Sequence, residues 1–248
     1  MKLYASTAVA ALAALGLVAC SAETEASPTA PAATTTPAPV ETAEPTAAPA
    51  ADVDAAAILE EVNAATYEVE KTHAFLFWDV SHGGLSTYTA KFKDWDATIE
   101  FDPADVTKSV VTASINPMSV ETDHPSKAEE WHDELANDFF KAGEFPAITF
   151  QSTSIETTGP MTGEMTGDLT FLGVTKPVTL DVTFNGVGNK PWYGERDLIG
   201  FDATGTLMRS EFGLDKHIDN GIGDEVTIRI SAEFLEKEPE APAEEPAE

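Results

Sequence analysis

The side chains able to do chemistry are few. One thiol, Cys20, and five imidazoles, His73, His82, His124, His132 and His217, are spread over 248 residues. A metal centre needs three or four convergent ligands held by hydrogen bonds from behind. No His-Glu-x-x-His pattern occurs, and adjacent His132 and Asp133 are poorly placed to share one ion, so no metal site is expected. No Gly-x-Ser-x-Gly elbow is present to expose a nucleophile. With 43 Asp and Glu in the chain, any carboxylate pair is uninformative about acid–base chemistry. Gly221-Ile222-Gly223 reads as a turn, because no strand–helix–strand unit surrounds it as a dinucleotide fingerprint requires. No catalytic residue and no cofactor is expected, and no enzyme's site is read from these residues.

The chemistry of Cys20 is set by what precedes it. Met1-Lys2-Leu3-Tyr4 carries one positive charge, and an apolar stretch runs from Ala5 to Val18. That is the pattern of a secretory signal, and it is shorter than the ~20 residues of a spanning helix. Leu17-Val18-Ala19-Cys20 resembles the bacterial lipobox. The resemblance implies cleavage after Ala19 and diacylglycerol on the Cys20 sulfur, with fatty chains such as palmitate as the anchor. Cys20 has no second cysteine to pair with. Ser21, not Asp, follows it, which in a Gram-negative host implies an outer-membrane lipoprotein facing the periplasm. Two or more acyl chains anchor stably.

The remaining segments define what is anchored. Residues 20–53 are Ala, Pro, Thr, Ser and Glu with almost no large apolar side chain, and they read as a disordered tether reaching about 30 Å. Residues 236–248 read as a disordered acidic tail. Residues 54–65 read as a helix capped by Asp54, with Ile58, Leu59 and Val62 as its stripe. From Thr66 the period becomes two, in Leu76-Trp78-Val80, Val111-Ala113-Ile115, Val178-Leu180-Val182-Phe184 and Val226-Ile228-Ile230. Ser86–Phe92, Ala97–Phe101, Ala147–Ile155, Glu164–Leu172 and Leu198–Met208 bring the count to about eight to ten strands. Ser126–Asn137, with Trp131 and Leu135 four apart, reads as a short helical insertion. Such a series implies a sandwich or a closed antiparallel barrel, and an eight-stranded barrel is filled by side chains or holds one ligand. Residues 55–235 carry 31 acidic and 12 basic side chains, a net of −19, which argues against a nucleic-acid partner. Ala74-Phe75-Leu76-Phe77-Trp78 is apolar on both faces, so either a second layer covers the outside or one face lines an apolar cavity.

The domain from Thr66 to Phe234 resembles the YceI-like family. The resemblance is carried by Tyr67-Glu68-Val69-Glu70 with His73, by Phe92-Lys93-Asp94-Trp95, by Ile99-Glu100-Phe101-Asp102 and by Leu135-Ala136-Asn137-Asp138-Phe139-Phe140. It continues in Phe145-Pro146-Ala147-Ile148-Thr149-Phe150-Gln151-Ser152 and is most specific in Thr166-Gly167-Asp168-Leu169-Thr170-Phe171-Leu172-Gly173-Val174-Thr175-Lys176-Pro177-Val178. Arg209-Ser210-Glu211-Phe212-Gly213-Leu214 and Gly223-Asp224-Glu225-Val226 complete the series. Ala74, Ala90 and Glu134 depart from the family's usual Ser, Gly and His. The resemblance implies an all-β fold, a closed antiparallel lipocalin-like barrel of about eight strands with a short helical insertion, spanning 66–235. It also implies a long isoprenoid or fatty chain inside the barrel and a homodimer.

On that reading Leu76, Trp78, Val80 and His82 line the barrel, with Phe92, Ile148, Phe150 and Phe171 as further lining residues. His82 ends a lining strand, where it could bond a headgroup or a backbone carbonyl. Arg209 either pairs with a buried carboxylate or meets a ligand phosphate. The expected function is a membrane-tethered envelope protein that binds or carries a long apolar lipid, isoprenoid or quinone-like. The alternatives are an accessory to an envelope redox or lipid-modifying enzyme and a structural module with a solidly packed barrel.

Overall fold

The computed structural model describes residues 54–238; the signal region, Cys20, the whole tether and the end of the tail lie outside them. Ten strands follow one short helix. They are β1 (Ala65–His82), β2 (Ser86–Phe92), β3 (Trp95–Phe101), β4 (Val110–Ile115), β5 (Val120–Glu121), β6 (Ile148–Gly159), β7 (Thr162–Phe171), β8 (Val174–Asn189), β9 (Asp197–Met208) and β10 (Ile222–Glu236). All pairings are antiparallel. The sheet runs β10-β9-β8-β7-β6-β4-β3-β1-β2-β5, and β10 also pairs with β1. That last pairing closes eight strands into a barrel and leaves β2 and β5 as an extension along the far half of β1.

The inner face follows the alternation, with one interruption. Along β1 the buried residues are first Tyr67 and Val69, at odd positions, and then Leu76, Trp78 and Val80, at even ones. A strict two-residue period cannot do this. The register against β10 jumps between Val69 and Ala74, which pair with Phe234 and Ala232, so a bulge in β1 resets the phase. Beyond the bulge Phe75 and Phe77 face outward. Phe75 is 49% exposed and stacks on Phe77 at 6.0 Å, and the Arg229 guanidinium lies 5.1 Å from the Phe77 ring. Of the two readings of that doubly apolar segment, the structure shows the one with a cavity on the inner face. Outside, threonine hydroxyls pair across strands, as in Thr98 with Thr112 at 2.7 Å and Thr166 with Thr179 at 2.8 Å.

The expected 54–65 helix is shorter, α1 (Ala55–Glu60). Asp54 does cap it, accepting from the Ala57 N–H at 3.3 Å. The chain then leaves the helix, because Tyr67 donates its hydroxyl to the Asn63 carbonyl at 2.9 Å and Ala65 already pairs with Phe101 on β3. The opposite end runs past 235. Glu236 pairs with Tyr67, its carboxylate accepts from the Asp197 N–H at 3.1 Å, and the Lys237 N–H donates to the Thr66 carbonyl at 2.8 Å. The insertion is α2 (Ala128–Glu134) continued by a π-helical turn, Leu135–Phe139. Its His132 is structural, with Nε2 accepting the Thr122 N–H at 2.8 Å.

Arg209 corrects the expectation of an ion pair or a phosphate contact. It is 4% exposed and donates Nε to Gly223 O (2.7 Å), Nη1 to Leu214 O (3.0 Å) and Lys216 O (2.9 Å), and Nη2 to Ile222 O (3.2 Å). No carboxylate among the described residues forms an ion pair with it. The nearby Asp224 carboxylate instead accepts from the Ser210 N–H and hydroxyl at 2.8 and 2.7 Å. Burial pulls the guanidinium pKa below its ordinary value, against the opposing charges of Asp224 and Asp215. The fork therefore ties Leu214 and Lys216 of the long β9–β10 connection to Ile222 and Gly223 at the start of β10.

Arg209→Met is expected to lower unfolding stability by about 2–4 kcal/mol in urea titrations, because it strands buried carbonyls. Arg209→Lys should recover little, since an ammonium cannot reach four divergent carbonyls; a wild-type midpoint for it would contradict this role. A second expectation concerns Asp79, whose carboxylate is held by Arg229 Nε at 2.6 Å and by the Thr89 hydroxyl. Burial alone would raise its pKa, but these hydrogen bonds outweigh it and hold the group below the usual carboxylate range. Its contribution is thus complete above the unfolded pKa and lost as pH falls through the folded one. Asp79→Asn should cost about 1 kcal/mol at pH 7 and nothing once the wild-type carboxyl is protonated. Chemical denaturation across that acid range checks it.

Candidate ligand-binding cavity

The barrel is not packed solid. It encloses a cavity of about 680 Å³, within the roughly 300–1,000 Å³ of small-molecule sites. All eight residues expected to line it do border it: Leu76, Trp78, Val80 and His82 from β1, Phe92 from β2, Ile148 and Phe150 from β6, and Phe171 from β7. The first three are neighbours on one face because β1 is regular beyond the bulge. Phe150 reaches its place because Gly167 on β7 lacks a side chain; a Cβ there would lie 2.6 Å from the Phe150 ring atom Cε2. His82 differs from the other seven. It is exposed, at the end of β1, where the Gly83 N–H donates to the Gly221 carbonyl at 2.8 Å.

Two aromatic groups border the space. Phe140, from just after the π-helical turn, lies 6.1 Å from Trp78, 5.5 Å from Phe92 and 6.0 Å from Phe171. Phe101, Phe184, Phe201 and Phe234 form the other, with Phe184 and Phe201 5.2 Å apart. Sequence reading did not single out Phe140, Phe184 or Phe201, nor Val226, Ile228 and Ile230, which oppose Val80, Trp78 and Leu76 across the closing pair. The alternation in 226–230 carried that signal. Its partner strand could not be read from it.

Polar groups sit mostly at the edges. His82, Tyr88, His217 and Asn220 border the cavity, and Asn220 Nδ2 lies 3.1 Å from His217 Nδ1. Tyr88 Oη accepts the Trp131 Nε1–H at 2.7 Å, which fixes the helical insertion to β2. Arg209 is the one Lys or Arg among the bordering residues, and Glu156 and Glu164 border the space as well. One polar atom inside is unpaired. Trp78 Nε1 is buried and meets no acceptor, alone in this respect among buried side-chain polar atoms of the described residues. On the outer face the β1 bulge gathers Glu70, His73 and Glu233. His73 Nδ1 is 2.7 Å from Glu70 Oε2 and 3.7 Å from Glu233 Oε2. Residues 70 and 73 would face opposite ways on a regular strand, so this convergence was not legible beforehand. Burial would raise the Glu70 pKa, and hydrogen bonds from Thr72 and His73 bring it below its ordinary value instead.

Comparison with known proteins agrees with this architecture. The chain is 41% identical over 156 residues to a UPF0312 protein of Pseudomonas fluorescens, covering 62% of this chain and 79% of the relative. A UPF0312 protein of Pseudomonas putida is 41% identical over 153 residues, covering 61% and 77%. The crystal structure of the Campylobacter jejuni YCEI protein matches with a TM-score of 0.55 at 32% identity, over 64% of this chain and 90% of that one. A Saccharophagus degradans structure described as a polyisoprenoid binding domain matches with a TM-score of 0.54 at 13% identity, over 71% and 100%, and shows the shared fold. The YceI-like domain family matches residues 67–234, nearly the whole closed barrel, and the chain belongs to that family.

Proposed function

We propose that this protein binds a long apolar lipid, isoprenoid or quinone-like, inside the barrel and carries or sequesters it while tethered to a membrane through Cys20. The observation that carries the reading is the apolar cavity of about 680 Å³, walled by Leu76, Trp78, Val80, Phe92 and Phe171. Filling such a space with side chains would stabilise the barrel, and leaving it open forgoes that packing. A bound chain recovers it: each CH₂ removed from water contributes about 0.8 kcal/mol. The polyisoprenoid binding described for the Saccharophagus relative is the ligand chemistry carried over here. His82, Asn220 and His217 at the cavity's edge would meet the polar end of the ligand. Binding and release, without turnover, account for the site. The lipid on Cys20 and the tether over 20–53 would hold the barrel beside its lipid source in an envelope, at the outer membrane if the host is Gram-negative.

Native mass spectrometry of the full chain purified from a bacterial envelope should show a retained lipid. Ala97→Phe, which thrusts a ring into the cavity from buried Ala97, should weaken retention by roughly tenfold or more with a melting temperature within a few degrees of wild type. A barrel that never retains a lipid-like species would refute the reading. Separately, Cys20→Ala should move the protein from the membrane fraction to the soluble fraction on ultracentrifugation; continued sedimentation with membranes would refute the anchor.

A further inference from the structure

Trp78 Nε1 is the one fully buried side-chain polar atom among the described residues that the fold leaves without a partner. A buried indole N–H usually finds a partner, and leaving one unmet costs about 1–3 kcal/mol. Trp131 shows the ordinary solution, giving its Nε1–H to Tyr88 Oη at 2.7 Å. Trp78 is 9% exposed, borders the cavity, and lies 6.0 Å from the Tyr88 ring and 6.1 Å from the Phe140 ring, ring centre to ring centre. Tyr88 also borders the cavity, and its own O–H meets no acceptor among the described residues. Two donors on adjoining strands, their ring centres 6.0 Å apart, therefore border the same largely apolar space. A lone water would need two to four polar partners. An oxygen attached to an apolar chain needs no further partners, because the chain fills the cavity.

The charge of the site limits what that oxygen can be. Arg209, the one Lys or Arg at the cavity, has its donors on four backbone carbonyls. Glu156 and Glu164 border the same space, and the domain is strongly acidic. A phosphate or carboxylate brought beside Trp78 would lose its hydration with no free cation to replace it. We infer that the barrel selects apolar chains carrying an uncharged carbonyl-type oxygen, and that Trp78 Nε1, assisted by Tyr88 Oη, donates to it. This rests on the lipid-binding reading and narrows its ligand. The N–H is buried in the ligand-free fold, so an arriving carbonyl needs the indole to turn toward the cavity that Trp78 borders.

The test uses the full chain stripped of endogenous lipid and three probes sharing one polyprenyl chain: the hydrocarbon, its methyl ketone and its diphosphate. The ketone should bind wild type roughly tenfold tighter than the hydrocarbon, the size of one hydrogen bond to a previously unmet donor. Trp78→Phe should bring the ketone down to the hydrocarbon's affinity on the same variant, so that their ratio falls from about tenfold to about one, whatever the smaller ring does to both. On wild type, the ¹⁵N–¹H resonance of the Trp78 indole should move downfield with the ketone and not with the hydrocarbon; that measurement decides the matter even if the variant folds poorly. Equal affinity for ketone and hydrocarbon, a preference that survives Trp78→Phe, or a diphosphate that binds tightest would each overturn the inference. If the hydrocarbon and ketone bind equally, the lipid-binding reading stands and only Trp78's role falls; if none of the three binds, both fall.

Discussion

Everything in this barrel depends on the pairing of β1 with β10. Without it the sheet is an open ribbon with two free edges and an inner face turned to water. With it β10 gains a partner along β1 and the inward side chains of eight strands surround one space. The pairing is long, from Tyr67 opposite Glu236 to His82 opposite Ile222, and it unites the two ends of the domain's sequence. The contacts beside it serve the same closure. Glu236 reaches the Asp197 backbone, Lys237 bonds back to Thr66, and Arg229 grips Asp79 across the outer face.

The bulge between Val69 and Ala74 is the second constraint. It lets one strand of 18 residues serve two neighbours, β3 over its first half and β2 over its second, while presenting apolar side chains inward on both. Its consequence outside is a polar knot of Glu70, Thr72, His73 and Glu233 where the ladder is interrupted. Its consequence inside is that Leu76, Trp78 and Val80 face Ile230, Ile228 and Val226, which makes this stretch of wall almost purely apolar. The insertion completes the wall through Trp131, Phe139 and Phe140, side chains from a helical segment that no strand pattern would assign to a barrel interior. Among the described residues that border this interior, Arg209 is the one Lys or Arg, and its donors are taken by backbone carbonyls.

Much of this was legible beforehand. Alternation marked β4, β8, β10 and the second half of β1, and the Leu76-Trp78-Val80 stripe pointed to the inner face of β1 because a two-residue period is local geometry. The short helix on the insertion was visible through the spacing of Trp131 and Leu135. Arg209 stood out as one of three arginines in the chain, placed in a family motif, yet its partners are backbone carbonyls that only the fold brings together. The helix after Asp54 was overextended because Val62 fits a helical stripe as well as it fits the buried position it takes before β1.

Residue order alone determined most of the strands, the acidic character of the domain and the single cysteine, because each follows from neighbours along the chain or from composition. Tertiary structure alone decided which strands meet, where β1 shifts phase, and whether the interior is full. The last is a matter of volume. Eight closed strands enclose a nearly constant space, and whether Leu, Ile, Val and Phe fill it depends on how their rotamers share it across strands far apart in sequence. Here they leave about 680 Å³, with one tryptophan N–H buried in its wall and no partner for it.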